Sequence, residues 1–186
     1  MAGGSKKSEN FIVLDDLFVD WSDIKRELSQ LEWNKIDDPR RASTQYYNSY
    51  QPDWLVNQLN CDWHSMGLLF AVGPHTYLEP HVDYLRTCAI LIPCTASYGG
   101  VSLDFWNIPS WRGELEENIY FNRGMGQIKE SVYYKKPILF RNIPHGVNNT
   151  SSSSPRINLS VCFLTPNSFD DLARKYDDGE LIRSLD

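Results

Sequence analysis

Cysteine is scarce in this sequence, and no long apolar run is present. The four cysteines among 186 residues have no Cys-x-x-Cys spacing, which argues against a disulfide-stapled scaffold. No apolar stretch reaches the ~20 residues that a membrane-spanning helix needs. The polar opening, MAGGSKKSEN, lacks the apolar middle of a signal peptide. We therefore expect a cytoplasmic protein without a membrane partner, and a disordered tail over residues 1–10.

Basic residues are also in the minority, with 18 Lys and Arg against 24 Asp and Glu and a net charge of −6. This balance argues against a nucleic-acid partner held by bulk charge. The composition is 41% apolar, 23% charged and 13% aromatic, which fits a globular, β-heavy fold. A chain of this length favours one domain of normal size, here residues 11–186.

Strand-like segments dominate the middle of the chain. Between roughly residues 65 and 165, short β-branched or aromatic segments such as MGLLFAV and RTCAILIP are separated by Gly, Pro, Asn and Ser. A short strand is predicted at 11–18. Helical spacing of apolar residues predicts helices at 21–33, 51–59 and 167–185. This order predicts a β-sandwich or open barrel with helices on its outside.

Two ionisable residues, His81 and Asp83, lie beside one of the most apolar strands. Side chains alternate along a strand, so the two are expected to share a face. His145 follows the strand PILF by a few residues. Two histidines and one carboxylate form the facial triad of non-haem Fe(II) oxygenases, and zinc hydrolases use the same residue types. The plainer alternative is a hydrogen-bonded His–Asp pair without a metal.

The strand PRINLSVCFL alternates cleanly between polar and apolar residues. Arg156, Asn158 and Ser160 point to one side. If that side faces solvent, Arg156 is an ordinary surface residue. If it faces a barrel cavity, the buried guanidinium requires a carboxylate partner. Alternation alone does not decide between the two interpretations. The tract between His145 and Arg156, NNTSSSSP, is expected to be a flexible loop.

The order His-x-Asp, then His, then Arg about ten residues later resembles the 2-oxoglutarate- and Fe(II)-dependent dioxygenases. The similarity is greatest to the aspartyl/asparaginyl β-hydroxylase-like group, which includes bacterial free-proline hydroxylases. It rests on PHVDYL, AILIPC, PHGVNN and PRINLSV, within roughly residues 65–165. This resemblance implies a double-stranded β-helix core, the jelly-roll or cupin-like fold, with flanking helices. The chain departs from many relatives outside this group in carrying Asn158 where they have Ser.

The resemblance also implies a chemistry. Fe(II) is held by His81, Asp83 and His145, and 2-oxoglutarate and O₂ are cosubstrates. Arg156 pairs with the distal carboxylate of 2-oxoglutarate, and the reaction hydroxylates a C–H bond with release of succinate and CO₂. Residues that could assist Arg156 are Asn158, Ser160 and Tyr77. Residues that could contact an amino-acid, peptidyl or other small substrate, or could simply pack, are Arg86, Trp106, Trp111 and Tyr120.

Two other functions fit parts of the pattern. A catalytically inactive cupin-like metal-binding or sensor protein would keep the fold without the reaction. A metal-dependent hydrolase or isomerase could use the same triad, although it has no need of a cavity arginine. The sequence specifies neither the substrate nor the oligomeric state.

Overall fold

The structure is a computed structural model that describes residues 7–32, 34–36, 45–61, 67–95, 101–113 and 117–184. Its described part is built mainly of antiparallel β-strands. The strands are β1 Phe11–Val13, β2 Asn34–Ile36, β3 Gln45–Ser49, β4 Gly67–Val72, β5 Thr76–Val82, β6 Cys88–Pro93, β7 Ser102–Asn107, β8 Ile119–Tyr120, β9 Gln127–Val132, β10 Ile138–Arg141, β11 His145–Asn149 and β12 Arg156–Phe163.

The strands form two sheets whose connections define the fold. The large sheet has the order β1-β10-β6-β12-β4-β3-β2, and the small sheet has the order β8-β5-β11-β7-β9. From β4 to β7 successive strands alternate between the large and the small sheet, and they alternate again from β9 to β12. This connectivity produces a double-stranded β-helix, so the expected jelly-roll core is confirmed. The sequence pattern did not predict β2 and β3, which extend the large sheet.

In the described residues, three α-helices accompany the sheets: α1 Trp21–Gln30, α2 Asp53–Gln58 and α3 Phe169–Asp177. Each is shorter than the sequence predicted. The hydroxyl of Ser168 caps α3 by accepting from the Asp171 amide at 3.1 Å and donating to its carboxylate at 2.6 Å. Gly179, with φ +72°, follows the end of this helix in the left-handed region that favours glycine. No helix in the described ranges is long and apolar enough to cross a bilayer.

Two apolar clusters show which way each face of the large sheet points. Leu159 and Val161 of β12 pack with the helices, in the same cluster as Ile24, Leu55 and Leu172. A second cluster fills the space between the sheets and combines residues from both: Ala89, Leu91, Phe140, Leu103, Phe105 and Val147. The polar side of β12 therefore faces the interior between the sheets, which decides the question that alternation left open.

The two segments expected to be disordered or flexible are tied down where the structure describes them. Residues 1–6 lie outside the described residues. In the rest of the predicted tail, Lys7 forms an isolated bridge with Ile12, and the Asn10 amide donates to Glu130 at 2.9 Å. In the serine-rich tract, the buried Asn149 amide donates to the carbonyls of Val72, Gly73 and Ser154 at 3.2, 2.7 and 3.0 Å. The hydrogen bonds to Glu130, Val72 and Gly73 join segments far apart in the sequence, which local composition does not predict.

Candidate metal centre

A β-bulge turns His81 into the interior. On β11, His145 pairs with His81 and Val147 pairs with Leu78, so two steps on β11 match three on β5. Leu78 already packs between the sheets, and strict alternation from it would direct His81 outward. The extra residue reverses that direction, which is a common role of bulges near functional sites. His81 is consequently buried, at 7% exposure.

Asp83 lies just after β5, in a turn rather than on the strand. The prediction that His81 and Asp83 share a strand face is therefore corrected, although their side chains still meet. Asn142 fixes the turn by accepting from the Asp83 amide at 3.2 Å. It also donates to the carbonyls of Asp83 at 2.8 Å and Arg86 at 2.6 Å. Leu85, with φ +64°, completes the tight reversal.

The three predicted ligands converge on one point. Asp83 Oδ2 lies 3.8 Å from His81 Nε2 and 3.7 Å from His145 Nε2. The two imidazole centroids are 4.5 Å apart, because His81 and His145 are register partners on adjacent strands. One potential ligand atom from each of the three residues lies within 4.8 Å of the others. This spacing allows a single cation to be held by all three.

Backbone hydrogen bonds set the tautomer of both histidines. The Nδ1 atoms of His81 and His145 lie 2.8 and 2.7 Å from the carbonyl oxygens of Glu79 and Ile143. A carbonyl oxygen only accepts, so each Nδ1 carries the proton and each Nε2 presents its lone pair toward Asp83. Burial, together with His81 and Arg86 and against the pull of Asp83, holds the pKa of His145 well below its ordinary range. Neutral imidazoles and a carboxylate suit a divalent transition metal.

Arg86 connects this group of ligands to β12. Its Nη2 donates to Asp83 Oδ2 and lies 3.3 Å from His145 Nε2. Its Nη1 lies 3.5 Å from both Ser160 Oγ and Cys162 Sγ. The guanidinium is therefore beside the metal ligands, and it competes with a cation for the same carboxylate and imidazole atoms.

Arg156 is buried in the interior and has no ionic partner among the residues that the structure describes. It is 4% exposed, its guanidinium lies 4.1 Å from the centroid of the Tyr134 ring, and its Nε is 3.3 Å from Asn158 Oδ1. Neither Nη1 nor Nη2 has a hydrogen-bond partner among the described residues. Buried donors in this condition cost free energy, so the guanidinium is poised to bind an anion.

Of the residues predicted to assist Arg156, the structure brings only Asn158 to it. Ser160 lies beside Arg86 instead. Tyr77 lies on the outer face of the small sheet, where its hydroxyl donates to the buried Asp104 at 2.9 Å. Gly146 leaves the room for this ring, since a Cβ there would lie 2.9 Å from Tyr77 Cε1.

The four predicted substrate contacts separate into two groups. Arg86 and Tyr120 lie at the triad, where the Tyr120 ring stacks on His81 with a centroid distance of 5.8 Å. Trp106 and Trp111 belong to an outer apolar cluster that does not contain the triad. There Trp106 donates to the Tyr77 hydroxyl at 3.1 Å, and Trp111 packs edge-on against Phe121 at 6.2 Å.

Sequence reasoning missed two residues of the site. Asn142 stands three residues before His145 in FRNIPH, and a polar residue directly after a strand was the available signal. Tyr134, in SVYY, carries no comparable signal, since it resembles the many aromatic residues that only pack. Tyr134 reaches Arg156 only because residues 133–137 fold against β12, and this tertiary contact is not visible in the local sequence.

Comparison with known proteins adds little to this geometry. No protein-family model and no curated protein matches the chain. Among solved structures, a crystal structure of CapF with the inhibitor 3-isopropenyl-tropolone aligns at a TM-score of 0.35 and 9% sequence identity. The alignment covers 84% of this chain and 35% of CapF, so the chain spans about a third of that protein's length. A similarity this distant carries no information on function.

The fold and the site thus define a mainly β, jelly-roll protein with a buried His–Asp–His group that could hold a metal ion.

Proposed function

We propose that the protein is a non-haem Fe(II)- and 2-oxoglutarate-dependent dioxygenase that hydroxylates a C–H bond. The observation that carries the proposal is the buried Arg156 guanidinium, whose two Nη atoms have no partner among the described residues. A metal site alone does not require such a group. A cosubstrate that is held by a metal at one end and carries a carboxylate at the other does require it.

The positions of the two groups support this division of roles. Arg156 and Ser160 are four residues apart on the same interior face of β12, which is roughly 13 Å along the strand. Ser160 contacts Arg86, which contacts the triad. The interior face of β12 therefore connects the metal ligands at its Ser160 end with the guanidinium at its Arg156 end. A diacid that binds the metal through one end and the guanidinium through the other would need such an arrangement.

The protein's residues would perform distinct tasks. His81, Asp83 and His145 would hold Fe(II), which when bound supplies the redox chemistry coupling decarboxylation of 2-oxoglutarate to hydroxylation, with O₂ as oxidant and succinate and CO₂ as products. Arg156 would bind the distal carboxylate and orient the cosubstrate. The apolar residues between the sheets, including Phe140, would exclude water from the reacting atoms.

The substrate is proposed to be an amino acid, a peptidyl residue or a related small molecule. It would approach the triad past Tyr120, which stacks on His81. Tyr84 and Leu85, directly after Asp83, are exposed large hydrophobic residues at this end of β5. They are suited to contact a substrate at the entrance.

The direct experiment measures succinate from 2-oxoglutarate in the presence of Fe(II) and O₂, across a panel of free amino acids and peptides. We expect at least one compound to stimulate succinate release, and His145→Ala to abolish it. The exposed His75 provides the matched control, since His75→Ala should leave turnover unchanged. Metal binding without succinate from any compound would favour a metal sensor or a hydrolase instead.

A further inference from the structure

We propose that Asn142 is a positioning residue of the metal centre, which holds the loop of residues 83–86 in a strained conformation that metal binding requires. This inference rests on the metal-binding part of the proposed function and deepens it. It assigns part of the metal affinity to a side chain that is not itself a ligand.

The Asn142 side chain closes this loop at both ends. Its Oδ1 accepts from the Asp83 amide at 3.2 Å, and its Nδ2 donates to the Asp83 carbonyl at 2.8 Å. The same Nδ2 donates to the Arg86 carbonyl at 2.6 Å. One carboxamide therefore uses its oxygen and its NH₂ group on the backbone at the first and last residues of the loop. The pattern also fixes the orientation of the amide, since an oxygen in place of Nδ2 would face two carbonyl oxygens.

The loop contains a residue in a conformation that its side chain disfavours. Leu85 has φ +64°, in the left-handed region where a leucine is strained. Its side chain is 63% exposed, so little packing offsets this strain. The Tyr84 amide adds one hydrogen bond, to Asn118 Oδ1 at 2.6 Å. The three hydrogen bonds of Asn142 span Leu85 on both sides, and they can offset the cost of its conformation.

The conformation of the loop decides whether the proposed ligands meet. With the loop closed, Asp83 Oδ2 lies 3.8 Å from His81 Nε2 and 3.7 Å from His145 Nε2. The two histidines are held separately, as register partners on β5 and β11. If the loop opened and Leu85 relaxed, Asp83 would move away from a pair of imidazoles that stays in place. Metal affinity should therefore scale with the fraction of molecules in which the loop is closed.

The test measures Kd for Zn²⁺ by calorimetry, which requires no turnover. Asn142→Ala should weaken Zn²⁺ binding at least about tenfold, because it removes the hydrogen bonds that close the loop. Asn149→Ala is the matched control. Asn149 also donates its amide to three backbone carbonyls, but it lies at the opposite end of β11 from His145. Its loss should lower stability and leave the Kd for Zn²⁺ unchanged.

A second substitution distinguishes positioning from general support of the fold. Asparagine adopts the left-handed region more easily than leucine, so Leu85→Asn relieves the strain without the added flexibility of a glycine. In the Asn142→Ala protein it should restore Zn²⁺ affinity by roughly threefold to tenfold. In the otherwise wild-type protein, where Asn142 already closes the loop, the same change should leave the Kd unchanged.

The outcomes separate this inference from the function on which it rests. If Asn142→Ala binds Zn²⁺ as tightly as Asn149→Ala, or if Leu85→Asn restores none of the lost affinity, the inference alone is overturned. Wild-type protein that does not bind Zn²⁺ overturns the metal-binding part of the proposed function and the inference with it. Should Asn142→Ala fail to fold, Leu85→Val takes its place, since a β-branched residue is strained more at this φ. It should weaken Zn²⁺ binding about threefold or more, and a Kd equal to that of Leu85→Asn is the contradicting result.

Discussion

Replacing Arg156 by methionine should weaken 2-oxoglutarate binding while leaving the metal in place. The guanidinium is 4% exposed and its two Nη atoms have no partner in the described part of the chain, so its contact with a carboxylate would be fully desolvated. Hydrogen bonds to charged groups contribute about 1.5–3 kcal/mol net. At about 1.4 kcal/mol per decade, the KM for 2-oxoglutarate should rise roughly tenfold to a hundredfold. Fe(II) affinity should stay near normal, because Arg156 is not a ligand.

The same substitution should stabilise the protein in the absence of ligand. Arg156→Met removes the stacking on Tyr134 and the hydrogen bond to Asn158, each about 1 kcal/mol. It also removes a buried charge that has no ionic partner in the described ranges, for which the penalty is several kcal/mol. The expected balance is a gain of about 1–2 kcal/mol, and each 1 kcal/mol raises Tm by about 2–4 °C in a chain of this size.

The assay combines titration of 2-oxoglutarate with thermal unfolding in its absence. Arg156→Lys should lie between wild type and Arg156→Met, since lysine keeps the charge and loses the bidentate fork. Arg141, which pairs with Asp170 at the surface at 2.6 Å, provides the control, and Arg141→Met should leave the KM unchanged. An unchanged KM in Arg156→Met, together with lower stability, would show that Arg156 is a structural residue only and does not bind 2-oxoglutarate.

Three further predictions follow from the site and its surroundings. Burial holds the pKa of His145 well below the ordinary 6.5 in the folded, metal-free chain. As the pH falls, the unfolded chain therefore protonates this histidine before the folded chain does. The free energy of unfolding should therefore fall as pH drops below about 6.5, by up to about 1.4 kcal/mol per pH unit. Urea titrations at a series of pH values should show that this free energy depends less steeply on pH in His145→Gln than in His75→Gln; an equal pH dependence would contradict this. Arg86→Met should bind Zn²⁺ at least about tenfold more tightly than wild type, as measured by calorimetry, because the Arg86 guanidinium repels a cation beside Asp83. Weaker Zn²⁺ binding would show instead that Arg86 holds the ligand side chains in position. Asn149→Ala should destabilise the fold by about 2–3 kcal/mol and speed hydrogen exchange over residues 150–155, since one amide serves three carbonyls; unchanged exchange would show that the tract is held by other contacts.

The architecture was predictable because local patterns agree with the global fold. Short strands separated by turn residues predicted a β-sandwich or open barrel, and the family resemblance implied its jelly-roll form. The alternation of β12 correctly separated Leu159 and Val161 from Asn158 and Ser160. Which side of β12 faced the interior could not be read locally, since both sides were compatible with an amphipathic strand. The helices on the Leu159 face settle it, and they are brought there by tertiary packing.

The triad was predictable in composition but not in its geometry. Strict alternation would have pointed His81 away from the interior once Leu78 packs inside, and only the bulge in β5 corrects this. A bulge depends on the register against β11, which a single strand's sequence does not specify. The position of Trp106 likewise could not be predicted from the sequence. An aromatic residue that lines a cavity and one that packs beneath an insertion are both largely buried, and the local sequence does not distinguish them.

Anaerobic calorimetry of 2-oxoglutarate binding can test directly whether the metal and Arg156 hold the same molecule. The design is two by two, with and without Fe(II), in the wild-type and Arg156→Met proteins. If the metal and the guanidinium hold opposite ends of one molecule, tight binding at one 2-oxoglutarate per chain should require both. Omitting Fe(II), or supplying it to the Asp83→Ala protein, should weaken binding as clearly as Arg156→Met does. Binding of equal strength with and without Fe(II) would contradict this arrangement, because the His–Asp–His group would then have no part in holding the cosubstrate.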